Sequence, residues 1–243
     1  GEGPAEKRAR TLSPTEWLTT HILSPDTRAG VHPRFCMQVL SHLLDTCPEV
    51  VLGGDTEENG GSLVKGLAKK LQREYQTHKR DVTDHIWAMR CLEKLLLQGT
   101  GAVLADLDEW SRILVTVLDY IKIRDLKLEP LMEALFRLAA RIIAHERIAP
   151  AAKHLPLLWQ FIVKFFSTGW LQQAQFKETG TLGHGTKSFL QVRAAFVSLV
   201  AVVLGRYKLD PAAAVHDGVT CSREAILNLI LMRAEAERAT HTA

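Results

Sequence analysis

Amphipathic segments of helical period follow one another along this chain on a regular beat, with little room for strands between them. Candidate helix starts fall near Leu63, Val82, Asp106, Glu129 and His154, at successive intervals of 19, 24, 23 and 25 residues. Taken in pairs, the unit is roughly 45 residues, within the period range of helix-pair repeats. Such a unit cannot bury its apolar face alone. Stacking the units buries it and leaves an elongated surface. The apolar positions carry the pattern: Leu63, Leu67 and Leu71, then Ile86, Met89, Leu92, Leu95 and Leu96, then Leu107, Trp110, Leu114, Val117, Leu118 and Ile121. Leu131, Leu135, Leu138, Ile142 and Ile143 follow, then Trp159, Phe161, Ile162, Phe165 and Phe166, each set on a 3.6-residue period. β-branched residues cluster at 115–117 and 200–203, but inside long periodic segments without turn signals, so helix is expected there too.

Punctuation sets the boundaries. Residues 1–11 are expected to form a disordered basic tail, and 12–52 an N-terminal helical pair. Ser13, Pro14 and Glu16 form a capping box for the first helix. Pro33 opens the second, with Phe35, Val39, Leu40, Leu43 and Leu44 on one face, ending near Cys47 and Pro48. Gly53 to Gly61 reads as a flexible glycine-rich acidic loop. Residues 62–243 are expected to form the helical repeat domain. Within it, 179–187 reads as a second loop, and Ser188 to Tyr207, apolar nearly all round, as a central helix covered by neighbours. Asp210 and Pro211 are expected to start a short helical turn that Asp217-Gly218 breaks, and Ser222 to cap a final helix.

The 243 residues allow a substantial core, and 47% hydrophobic with 23% charged residues is a globular balance. Four cysteines, Cys36, Cys47, Cys91 and Cys221, form no C-x-x-C pair and sit in or beside apolar runs, which predicts free buried thiols in a reducing compartment. The longest nearly uncharged run, Ala194 to Gly205, is too short for a bilayer. The opening Gly-Glu-Gly-Pro, without an initiator Met, suggests a piece of a longer protein.

Few motifs compete with the helical reading. Gly180 to Ser188 resembles a phosphate loop, but Thr186 separates Gly185 from Lys187, and helix rather than strand is expected before it. The ten histidines lack ligand spacing: His145-Glu146 has no second histidine three residues on. His216, Asp217 and Cys221 lack a nucleophile turn. No catalytic residue, metal site, cofactor or small-molecule substrate is therefore expected, and the chain reads as a non-enzyme.

Binding is the alternative to chemistry. Lys65, Lys69, Lys70, Arg73, Lys79 and Arg80 form a basic helix face with Glu74 opposing. Such a stripe is simply a solvated face, or a contact for phosphates or for an acidic protein. Trp170, after Gly169 and beside Gln172, is a candidate exposed anchor. Lys7, Arg8 and Arg10 read as a nuclear-import patch beside Ser13, a Ser-Pro site open to phosphorylation.

The helix starts at Pro130 and Pro156 and the paired-helix spacing, from Leu63 to Lys177, resemble the HEAT and armadillo class of α-solenoids. No repeating Asp/Arg ladder of the kind some HEAT arrays use is evident. The resemblance implies a scaffold or adaptor that binds along one set of helices. The expectation is an all-α chain of nine or ten helices, as an irregular HEAT-like superhelix or a multi-helix bundle. Its expected role is a protein–protein interaction scaffold in a larger nuclear or cytoplasmic complex, without membrane contact. The alternative is nucleic-acid binding through the 65–80 face.

Overall fold

The computed structural model describes residues 17, 18, 20, 21, 32–52, 58–73, 82–99, 101–120, 129–148, 154–167, 184–207, 215, 216, 219 and 220. Helical residues near Trp17 precede eight helices: α1 (Pro33–Thr46), α2 (Pro48–Leu52), α3 (Glu58–Arg73), α4 (Val82–Gln98), α5 (Leu107–Asp119), α6 (Glu129–Ala144), α7 (Leu155–Ser167) and α8 (His184–Arg206). A two-stranded hairpin, β1 (Val215–His216) and β2 (Val219–Thr220), follows. The all-α expectation is met.

Local chemistry explains where the helices stop and start. The His32 side chain accepts a hydrogen bond from the Arg34 amide, and Pro33 occupies the first turn, where a missing N–H costs nothing. Pro48 pushes the preceding residue out of the helical region. Cys47 accordingly sits at φ −147°, ψ 61°, and its N–H closes α1 on the Leu43 carbonyl. Gly99, at φ +60°, follows α4 in the left-handed conformation that glycine accepts freely. Asp106 caps α5 by accepting from the Glu109 amide at 3.0 Å. Trp110 Nε1 donates to the Val103 carbonyl at 2.9 Å, which ties the connecting loop to the helix.

Alternate helices pack together. α4 lies against α1 and α6, and α6 against α8, giving one row in the order α1, α4, α6, α8. α3, α5 and α7 form a second row, joined to the first by α3 on α4 and α5 on α6. The apolar stripes meet between the rows. One buried cluster runs from Leu18 through Met37, Leu92, Trp110 and Phe136 to Val203. α1 packs directly on α4, so the segments before and after 53–57 share this core. Aromatic packing is densest where Phe136 of α6 meets Phe161 and Phe165 of α7 and Phe196 of α8, at centroid distances of 4.9–5.9 Å.

Several boundaries and faces differ from the sequence reading. α3 begins at Glu58, so residues 58–61 are helical rather than loop. Packing on α4 and α5 carries the helix through Gly60 and Gly61, despite about 1 kcal/mol of propensity cost per glycine. α8 likewise begins at His184, not Ser188, which places Gly185, Thr186 and Lys187 on a helix and removes them from any phosphate-type loop. After α8, where a short helical turn is expected, two short strands pair instead, with Val215 opposite Thr220 and His216 opposite Val219. An Asp-Gly pair between β-branched residues is a hairpin signal, and β1 packs on α7. On α1 the buried face is Cys36, Met37, Leu40, Ser41 and Leu44, one position round from the expected stripe, and Phe35 is left 56% exposed. α8 is not covered all round: Ala194, Ser198, Ala201 and Gly205 are exposed, and among the described residues only α6 packs strongly against it.

Candidate functional site

The basic residues expected from the sequence lie on α3, in the row of α3, α5 and α7. Lys69 is exposed and Lys70 half-buried. Lys65 is exposed, and its Nζ lies 3.4 Å from an Asp106 carboxylate oxygen. Arg112 reaches the same carboxylate at 3.9 Å and Glu109 at 3.1 Å. The Glu109 amide hydrogen bond, opposed by burial and helped by Lys65 and Arg112, holds the Asp106 carboxyl below its ordinary value. Part of the α3 stripe therefore belongs to a cap rather than to an open field. Arg73 is the last residue of α3. Lys79, Arg80, Trp170, Ser13, Lys7, Arg8 and Arg10 lie outside the described residues.

The concave surface lies on the other row. A cleft of about 390 Å³ opens between α1, α4 and α6, where Ser41, Trp87, Arg90 and Lys94 line it with Glu133 and Arg137. A second, of about 340 Å³, opens between α6 and α8, with Arg141, Ala144, Ala194 and Ser198 on its walls. Glu93, Glu133 and Arg137 line both, so the two form one trough across the row.

Charged side chains bridge the helices beneath this trough. Arg137 Nε donates to both Glu93 carboxylate oxygens at 3.1 Å, and its Nη1 reaches Glu133 at 3.3 Å. Arg141 Nε stands 3.8 Å from Glu93, and Arg90 Nη2 3.9 Å from Glu133. The Arg90 guanidinium also lies 5.4 Å from the Trp87 ring centroid, within cation–π range. On the α1 side, Lys94 Nζ bonds Asp45, the Ser41 hydroxyl and the Ser41 carbonyl. On the α8 side, Arg206 donates to the carbonyls of Ile143, His145 and Glu146 at the end of α6. Three basic residues thus reach back to the preceding helix of the row, Lys94 to α1, Arg137 to α4 and Arg206 to α6, while Arg90 of α4 reaches forward to Glu133 of α6. This is the inter-helix ladder the sequence did not reveal.

Around Glu93 and Glu133, depth separates the two signs of charge. The side chains of Glu93 and Glu133 are 7% and 15% exposed, whereas those of Arg137, Arg141 and Arg90 are 50%, 51% and 37% exposed. Carboxylates form the floor and guanidiniums stand above them. Desolvation works against the Arg137 charge, but Glu93 and Glu133 outweigh it and raise its pKa above the ordinary value. Its cation is held in place across the working pH range.

Trp87, Arg90, Glu93, Glu133, Arg137 and Arg141 were not singled out from the sequence. Glu133, Arg137 and Arg141 recur every four residues on α6, so the polar face itself was legible, but not what it meets. Trp87 and Trp17 are half-buried against the core, while Trp110 and Trp159 are fully buried. Cys36 and Cys91 are buried free thiols and Cys47 is half-buried.

No protein-family model, curated protein or solved structure matches this chain. Among the described residues, no helix is long and apolar enough to cross a membrane.

Proposed function

We propose that this chain is a non-enzymatic protein–protein interaction scaffold, a subunit of a larger nuclear or cytoplasmic assembly, that binds its partner along the α1, α4, α6, α8 row. The observation that carries this reading is the trough that crosses the row and joins two clefts through shared side chains. Stacked helix pairs characteristically use such an extended surface to grip another macromolecule, and a HEAT-like array places it along one set of helices. The trough groups the chain's cleft-lining charges in ion pairs, which suits recognition better than proton transfer. The contact surface therefore moves from the α3 stripe to the opposite row.

Photo-crosslinking side chains placed one at a time at Gln38 and Ser198, on the trough, and at Lys69 and Thr116, on the other row, test this in lysate with and without nuclease. Discrete protein adducts from the trough positions, and few from the other row, are the expected result. Adducts confined to Lys69 that vanish with nuclease would instead favour nucleic-acid binding through α3.

A further inference from the structure

The trough carries its charges in a line. Arg90 and Arg137 flank the Glu133 carboxylate, and Arg137 and Arg141 flank that of Glu93. Three cations thus alternate with two anions, so the line has one positive charge in excess. Around Glu93 and Glu133 the anions are sunk and the cations raised, which turns the three guanidiniums toward a partner, while at the α1 end Lys94 and the more exposed Asp45 add one charge of each sign. A guanidinium has five N–H donors in a fixed fork that matches a carboxylate. The contacts with the floor engage fewer than that, and they fix the forks before any partner arrives, which lowers the ordering cost of binding. Toward α8 the lining is mostly small and apolar, with Ala144, Ala194, Ala195 and Val202 beside polar Gln191 and Ser198.

Dimensions set the form of the occupant. Four helices packed about 9 Å apart span roughly 27 Å, which about eight extended residues cover. A phosphate backbone fits less well. One excess charge gives little of the multiple neutralisation on which nucleic-acid affinity rests, and among the described residues Trp87 and His42 alone offer rings in the trough for base stacking.

We propose that the trough receives an extended acidic peptide segment of a partner protein, whose carboxylates pair with Arg90, Arg137 and Arg141 while small apolar side chains seat between α6 and α8. The proposal rests on the scaffold reading and specifies the chemistry of its partner.

A fluorescein-labelled peptide of about ten residues, alternating Glu and Ala, tests it by fluorescence anisotropy against the full chain. A Gln-Ala peptide and a thymidine oligonucleotide of the same length serve as comparators. The Glu-Ala peptide is expected to bind at least roughly tenfold more tightly than the Gln-Ala peptide. Arg90→Gln/Arg141→Gln should remove at least that factor, while Lys69→Gln/Lys70→Gln on the other row leaves binding unchanged. Arg137 is kept because it holds Glu93, and circular dichroism and melting of both double variants establish that each is folded. Equal binding of the two peptides, no binding of either, or a loss confined to the Lys69/Lys70 variant would overturn the proposal. So would an oligonucleotide that competes for the same arginines and binds more tightly. Crosslinks from the trough combined with any of these failures would leave the scaffold reading standing and remove only the acidic partner.

Discussion

Glu93 shows how a single buried charge organises a surface. Its carboxylate is held by Arg137 through two hydrogen bonds and approached by Arg141, and all three groups line the trough. Replacing Glu93 with Ala removes the floor under two half-exposed arginines. Because these cations retain water, the stability loss is expected to be about 1–2 kcal/mol, below that of a fully buried pair, measured by urea unfolding. Asp106 acts locally, and its pKa fixes the sign of a pH effect. The folded value lies below the ordinary 3.8, so its contribution is fully present above the ordinary carboxylate range and is lost as pH falls through the folded value. Asp106→Ala should therefore cost about 1 kcal/mol at neutral pH. Unfolding curves of the two proteins should converge below pH 3.8, and a gap that persists undiminished there would contradict the ionised cap. Cys91 is the opposite case. Burial is the main cause that pushes its thiol up to about 12, and its Sγ–H donates to the Met37 carbonyl. At pH 8 roughly one thiol in ten thousand would be ionised, so iodoacetamide should modify Cys91 only on unfolding. Modification of the native chain there, located by peptide mapping, would refute this.

At the scale of elements, α6 is the helix on which most depends, because it touches α4, α5 and α8 and carries Phe136 into the aromatic cluster. Phe136→Ala should cost about 3–5 kcal/mol, and Phe136→Leu clearly less, since leucine refills part of the volume. A calorimetric difference under 1 kcal/mol for the alanine variant would mean that the cluster is not packed as described. Helix α6 was also among the best-read elements in the sequence, starting at Glu129 as expected with its whole Leu131 to Ile143 stripe buried. Periodicity, proline and capping signals are local, and where they decide, the sequence is sufficient: α4 starts at Val82, and α5 is capped at Asp106. The starts of α3 and α8 differ from the sequence reading because Gly60, Gly61 and Gly185 have poor helix propensity and read locally as loop. The trough was illegible for a different reason. Nothing in the order of residues says that Arg137 will face Glu93 across two helices, and Trp87 looks the same on an apolar stripe whether it fills core or lines a cleft.

The order of packing makes a statement about the whole molecule. In the row α1, α4, α6, α8 each helix packs strongly on its neighbours, and among the described residues α1 and α8 share no comparable contact. An open stack is held by nearest-neighbour interfaces, so damage at one end should remain there. A closed bundle has one core and should lose protection throughout. Leu40 distinguishes the two: it is fully buried on α1, the helix packed on α4 at the end of the row. Leu40→Ala should cost about 2–5 kcal/mol at its own interface. Hydrogen exchange of the variant should then accelerate in α1 and on the facing side of α4, while α6 and α8 keep wild-type protection, because local opening there does not require the α1 end to be in place. A uniform rise in exchange from α1 to α8 would show that the eight helices unfold as one unit. Localised opening would carry a functional consequence as well. The α1–α4–α6 cleft would loosen while the α6–α8 cleft kept its shape, so a partner gripping both would lose contacts at one end and not dissociate outright.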